Sequence, residues 1–231
     1  MTKHDGLSIR VMKLPGSTRG QVNIFMLGEI KTAESVVHDD TVSTATYYRF
    51  GNEAMSLAVS GLCGCTTLVI VSRTAVYFGH YYENLSFNPD DDVPYARDPQ
   101  AAFQNTVLNG LRSGIPNAHS GVPDQDSLTA HAADFQGGRA FLIVPLLGPD
   151  DERNPYKDQW NQMQTTIRGI IPGGVNIQVV PYNALDKEDT LLLTSSRGMV
   201  LFKYDPAHQA NNPTRLAKLW SKTTELHTDA W

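Results

Sequence analysis

Residues 62–83 read LCGCTTLVIVSRTAVYFGHYYE, and this stretch decides the fold. Two apolar runs rich in β-branched and aromatic residues, 66–72 and 76–82, flank a short break at Arg73-Thr74-Ala75. That is the pattern of an antiparallel hairpin. With Val71 opposite Val76, Thr67 falls opposite His80, and Cys65 lies one diagonal step away on the same sheet face. Diagonal neighbours across a strand pair have Cβ atoms about 7–8 Å apart, within reach of a leaning imidazole. A slip of one residue would send His80 to the other face, so the two meet only in that register.

Working outward, strand patterns recur at residues 21–27, 139–146, 175–182, 190–194 and 199–204. The stretch 190–204, TLLLTSSRGMVLFKY, reads as a second hairpin. Three helices are announced by an Asx-Pro pair, in which proline gives up only an unpartnered first-turn amide and the Asx side chain caps its neighbours. Asp98-Pro99 leads into Phe103, Val107, Leu108 and Leu111, closed by Ser113-Gly114. Asn154-Pro155 leads into Tyr156, Trp160, Met163, Ile167 and Ile170, ended by Pro172-Gly173-Gly174. Asn212-Pro213 leads into Leu216, Leu219, Trp220 and Leu226. Each carries one apolar stripe suited to packing on a sheet.

Residues 52–60 read as a short helix running into the cysteine pair. Residues 113–138, SGIPNAHSGVPDQDSLTAHAADFQGG, form a long loop that either covers a site or is mobile. The expected fold is α+β: a mostly antiparallel mixed sheet or sandwich with about three to four outer helices, in a single domain over residues 1–231.

A chain of 231 residues that is 41% hydrophobic buries a core without staples. Its 19 Lys and Arg against 24 Asp and Glu give a net charge of −5, which argues against nucleic acid as a partner. No apolar run is long enough to span a bilayer, and the first thirty residues contain no signal-peptide core. No membrane partner is expected. The cytoplasm is the default location, with delivery by a leader not visible here as the alternative. The oligomeric state stays open.

Two cysteines spaced two apart exclude a disulfide framework, and a bridge between them would be strained. A metal site built from Cys63, Cys65 and His80 lacks a fourth ligand. The other histidines (4, 38, 119, 131, 208 and 227) have no metal spacing, and the acidic runs 90–92 and 150–152 read as solvated turns rather than calcium loops. Neither a metal nor a cofactor is expected.

The chemistry therefore rests on thiol and imidazole. A neighbouring imidazole activates a thiol that is otherwise protonated at neutral pH, and then protonates a departing amine. Thr67 stands opposite to orient the ring through its hydroxyl, while Gly64 and Gly79 leave room for a substrate backbone. Backbone amides near Gly64 and Cys65 are the candidate oxyanion donors. A cysteine that follows a helix and begins a strand gains nothing from a helix dipole, unlike a papain-type cysteine. His80 must then supply most of the activation. The same residues also suit a satisfied core, since cysteine is among the most buried residue types.

Leu62-Cys63-Gly64-Cys65, followed fifteen residues later by His80, resembles the signature of the cytotoxic-necrotizing-factor-type protein glutamine deamidases, which carry L-S-G-C and then a histidine on the next strand. The bacterial chemotaxis-receptor deamidases are a structural relative of that family. The G-C-T…V-S-R…H-Y-Y-E segment is also similar to a group of small, largely uncharacterised fungal proteins. The match covers 22 of 231 residues. It implies a deamidase-toxin-like fold with an effector role, Cys65 as nucleophile, His80 as its partner, and a glutamine side chain of a protein as substrate. Cys63 replaces the family's serine.

The leading expectation is thus a cysteine-dependent amidohydrolase that deamidates protein glutamine through a thioester. A non-catalytic binding or immunity-type protein is the alternative. A transglutaminase or a cysteine peptidase built on the same pair remains a further one.

Overall fold

The computed structural model describes residues 12–37, 41–116, 122–146, 156–209 and 214–231. Among these, ten strands form two five-stranded sheets. The first joins β1 (Glu34–Ser35), β3 (Met55–Val59), β8 (Val200–Asp205), β9 (Leu216–Ser221) and β10 (Thr224–Ala230) in that order. The second runs β2 (Thr44–Arg49), β5 (Ala75–Tyr81), β4 (Thr66–Val71), β6 (Arg139–Leu146), β7 (Asn176–Asn183). Only β1–β3 and β6–β7 pair in parallel. The fold is α+β with mixed, mostly antiparallel sheets, as the pattern of residues predicts.

The side-chain period of two distributes each strand over two cores. In β4, Val69 and Val71 join Phe78 of β5 and Phe202 and Leu219 of the other sheet in the core between the sheets. Leu68 and Ile70 face outward with Tyr77, onto Phe103, Trp160, Met163 and Ile167. Those last four belong to helices α3 (Pro99–Phe103) and α5 (Lys157–Ile170). On the far side, Phe25 and Met26 of α1 (Arg19–Glu29) pack on Ala58, Leu201 and Trp220. The layers are therefore helix, sheet, sheet, helix.

The Asp98-Pro99 start behaves as its chemistry dictates. Asp98 Oδ1 accepts from the Ala101 N–H at 2.9 Å, and Pro99 opens α3. The helix continues through a π-helical segment (Gln104–Leu108) and α4 (Asn109–Ser113), to stop at Gly114 with φ 72°. The α5 stripe is buried as expected, while Asn154-Pro155 lies outside the described residues.

Several expectations are corrected. Residues 21–27 are not a strand but part of α1, because Thr18 and Gln21 form a reciprocal capping box and Val22, Phe25 and Met26 share a helical face. The helix expected after Asn212-Pro213, itself outside the described residues, is the β9–β10 hairpin. It turns at Lys222, whose φ of 54° suits a tight hairpin. Because β9 is buried on both faces, its residues show no polar alternation, and their 3,4 spacing mimics a helix. Residues 52–60 hold β3 rather than a helix. The second hairpin dissolves, since Leu191–Thr194 forms the short helix α6.

Residues 113–138 are not one long loop. An isolated bridge joins Ile115 to Gln125, and a 3-10 helix covers Thr129–Phe135, while residues 117–121 lie outside the described set. No helix among the described residues is long and apolar enough to cross a membrane.

Candidate active site

The hairpin register is the one the sequence predicts: Val71 pairs with Val76, and Thr67 with His80. Its turn is fixed by Ser72, whose Oγ accepts from the Thr74 and Ala75 N–H groups at 3.0 and 3.1 Å and donates to the Asp134 carbonyl at 2.6 Å. One hydroxyl at the turn thus sets which face His80 occupies eight residues away. Cys65 and His80 both line a cleft of about 690 Å³, together with Cys63, Tyr82, Glu83 and Lys187.

Both groups sit deep, Cys65 at 6% exposure and His80 at 3%. Burial pushes the Cys65 thiol up to about 12, opposed by hydrogen bonds to the sulfur from the backbone amides of Glu83 and Cys63. Burial alone lowers His80 to about 3. At neutral pH both the thiol and the imidazole are consequently uncharged. His80 Nδ1 is buried without a hydrogen-bond partner, and its ring meets the edge of Tyr82 at 4.5 Å between centroids. Cys63 is half-buried, and desolvation raises its thiol while Lys187 lowers it.

Three auxiliary expectations change. Thr67 stands opposite His80, but its hydroxyl is also buried without a partner. It does not orient the ring, because opposition across a ladder fixes Cβ positions and not side-chain angles. Gly79 opens no space toward a substrate: it points to the helix-covered face, where a Cβ would fall 2.9 Å from Tyr81 Oη. Gly64 lines the cleft, yet its missing side chain makes room for Glu83 Oε2, which a Cβ would overlap. Its φ of 151° also disfavours any other residue. The Gly64 N–H is spent on Tyr182 Oη at 3.2 Å.

Tyr182 and Glu83 are the residues that sequence reasoning missed. The Tyr182 hydroxyl donates to the Cys65 carbonyl at 2.7 Å while accepting from Gly64, so β7 clamps the turn that presents the thiol. Glu83 lies one residue beyond β5, after Tyr82, and starts α2 (Glu83–Ser86). Its Oε1 accepts from Tyr156 Oη at 2.5 Å. Among the described residues, no group of three or more His, Cys, Asp or Glu side chains could hold a metal ion.

A second, smaller cleft of about 290 Å³ is lined by Ser43, Leu85, Tyr95, Asn105, Thr106 and Gln125, among others. Its polar groups bond to one another. Gln125 Nε2 donates to the Ser43 and Thr106 carbonyls at 2.9 and 3.2 Å, Ser43 Oγ lies 3.0 Å from Ser86 Oγ, and Asn105 Nδ2 donates to Ala101.

No protein-family model matches the chain, and no curated protein matches its sequence.

Proposed function

We propose that the protein is a cysteine-dependent amidohydrolase acting on a primary carboxamide, with a protein glutamine side chain as the substrate that its resemblance to the deamidase toxins suggests. The observation that carries this reading is the placement of Cys65 and His80 in the lining of one cleft, two residues apart in register across the hairpin, with an imidazole nitrogen left unspent. A neutral pair works by general-base catalysis rather than as a preformed ion pair.

As Cys65 Sγ attacks the carboxamide carbon, its proton passes to His80. The C–N bond then breaks, and His80 returns the proton to the departing ammonia. Water adds to the thioester with His80 as base, the S–C bond breaks, and the thiol is restored beside a carboxylic acid. With the Gly64 amide held by Tyr182, oxyanion support falls to the N–H of Cys65 itself.

The test is ammonia release from glutamine-containing peptides and unfolded proteins, with conversion of amide to acid read by mass spectrometry. Wild-type protein is expected to turn over and Cys65→Ala to be inactive. Equal activity in both would sink the proposal. A non-catalytic binding protein is favoured by one observation, the depth and raised pKa of Cys65. On that reading Cys65→Ser changes stability alone.

A further inference from the structure

We propose that Glu83 selects the substrate's functional group, accepting the N–H donors of a primary carboxamide and repelling a carboxylate in the Cys65 cleft. This rests on the amidohydrolase reading and deepens it.

The Glu83 side chain is held from two directions. Tyr156 pins Oε1, and Oε2 lies against Gly64, the position that only a glycine keeps open for it. Oε2 makes no hydrogen bond among the described residues, although Glu83 lines the cleft and its own backbone N–H bonds to the Cys65 sulfur. One carboxylate oxygen is thus fixed against Gly64 in the cleft that Cys65 lines, with no hydrogen bond to a described residue. A carboxylate can only accept. A primary carboxamide brings two N–H donors and matches it, whereas a carboxylate brings none and sets like charge against like.

The rest of the lining works in the same direction. Glu188 and Asp189 join Glu83 around the cleft, and Lys187 is the single cation there among the described residues. Hydrolysis of a carboxamide turns a neutral double donor into an anion, so the group that draws in the substrate also drives out the acid product. The field of the cleft adds to that expulsion.

Two alkylating agents of nearly equal size separate these effects. Iodoacetamide carries the carboxamide, and iodoacetate the carboxylate. With either, an S–C bond forms at Cys65, iodide leaves, and the thiol proton is lost. Both are applied to the native Cys63→Ser protein, with the urea-unfolded chain as reference and the labelled residue mapped by mass spectrometry. Native Cys65 is expected to favour iodoacetamide by about tenfold beyond the unfolded ratio, the scale of one close like-charge contact at a partly solvated site. Adding Glu83→Gln, which keeps the size and the acceptor for Tyr156, is expected to bring the ratio back to the unfolded value.

In the protein with Glu83 intact, raising salt from about 0.05 to about 0.5 M should shrink the preference, since screening weakens the repulsion. A ratio unchanged by Glu83→Gln, or insensitive to salt, overturns the role of Glu83 and leaves the amidohydrolase reading standing. Failure of both reagents to label native Cys65 while they label the unfolded chain overturns both.

Discussion

A single hydrogen bond, from the Tyr82 N–H to Ser43 Oγ at 3.1 Å, links the walls of two clefts with opposite chemistry. In the smaller one, polar side chains are paired among themselves: Ser43 with Ser86, Ser86 with Thr106, Gln125 with two carbonyls. The unpaired oxygen of Gln125 turns against Gly110, where a Cβ would overlap it. Such a network fixes a helix to a strand end, and it holds little in reserve for a ligand. The larger cleft is lined by Cys65, His80 and Glu83 together, and there His80 Nδ1 and Glu83 Oε2 have no hydrogen-bond partner among the described residues. A buried polar group left unsatisfied costs about 1–3 kcal/mol, and among the described residues each cleft's lining has one, His80 Nδ1 in the larger and Gln125 Oε1 in the smaller; of the two, only the imidazole nitrogen can serve as a base. The clefts differ most in which groups line them: thiols, an imidazole and carboxylates in the larger, amides and hydroxyls in the smaller.

Paired glycine substitutions put the contrast at risk most sharply. Gly64→Ala forces a Cβ onto Glu83 at a positive φ, so the turn or the carboxylate must shift. Native alkylation of Cys65 is expected to fall by at least about tenfold, the effect of displacing a positioned reactive group. Gly110→Ala overlaps Gln125 instead. It should cost about 1–2 kcal/mol of stability by overpacking, after the gain in helix propensity, with Cys65 alkylation unchanged. Calorimetry and labelling rates on both variants check this. Equal silencing of Cys65 by the two would mean that the clefts are not separable.

A separate effect comes from pH. The unfolded chain protonates His80 near 6.5, the folded protein only near 3. The unfolded state therefore binds more protons across that window, and stability rises with pH there. The contribution of His80 is complete above about 6.5 and is lost as pH falls toward 3, with a slope of at most about 1.4 kcal/mol per pH unit. Cys65 acts at the other end: its raised thiol supports the fold below about 9, and this support is lost as pH rises toward 12. Denaturant titrations of wild type and His80→Ala at pH 4 and 7 check the first window. A slope that survives His80→Ala would assign the effect to another group.

The core of this arrangement is legible in the sequence because it is local. A hairpin of two β-branched runs with Ser72 at its turn fixes the Thr67–His80 register, and the α3 start follows from Asp98 and Pro99. Strand β2, with its run Thr44-Ala45-Thr46-Tyr47-Tyr48, carries a similar β-branched and aromatic signal. Where burial comes from both sides, as at β9, periodicity misleads. The supporting residues of the site were out of reach for a different reason. Tyr182 meets Gly64 across 118 positions, and Tyr156 meets Glu83 across 73. No spacing rule connects such partners; the place of β7 in the hairpin's sheet and the packing of the start of α5 against that sheet do.

The proposed chemistry depends on Cys65 being reachable in the folded protein and on His80 drawing off its proton. The direct measurement is the second-order rate of iodoacetamide with Cys65 in native Cys63→Ser protein, with His80 present and with His80→Ala, at neutral pH. Labelling of native Cys65 and a loss of about a hundredfold without the imidazole are predicted, the low end of general-base assistance. Equal rates in the two proteins, or labelling only after unfolding, would contradict it.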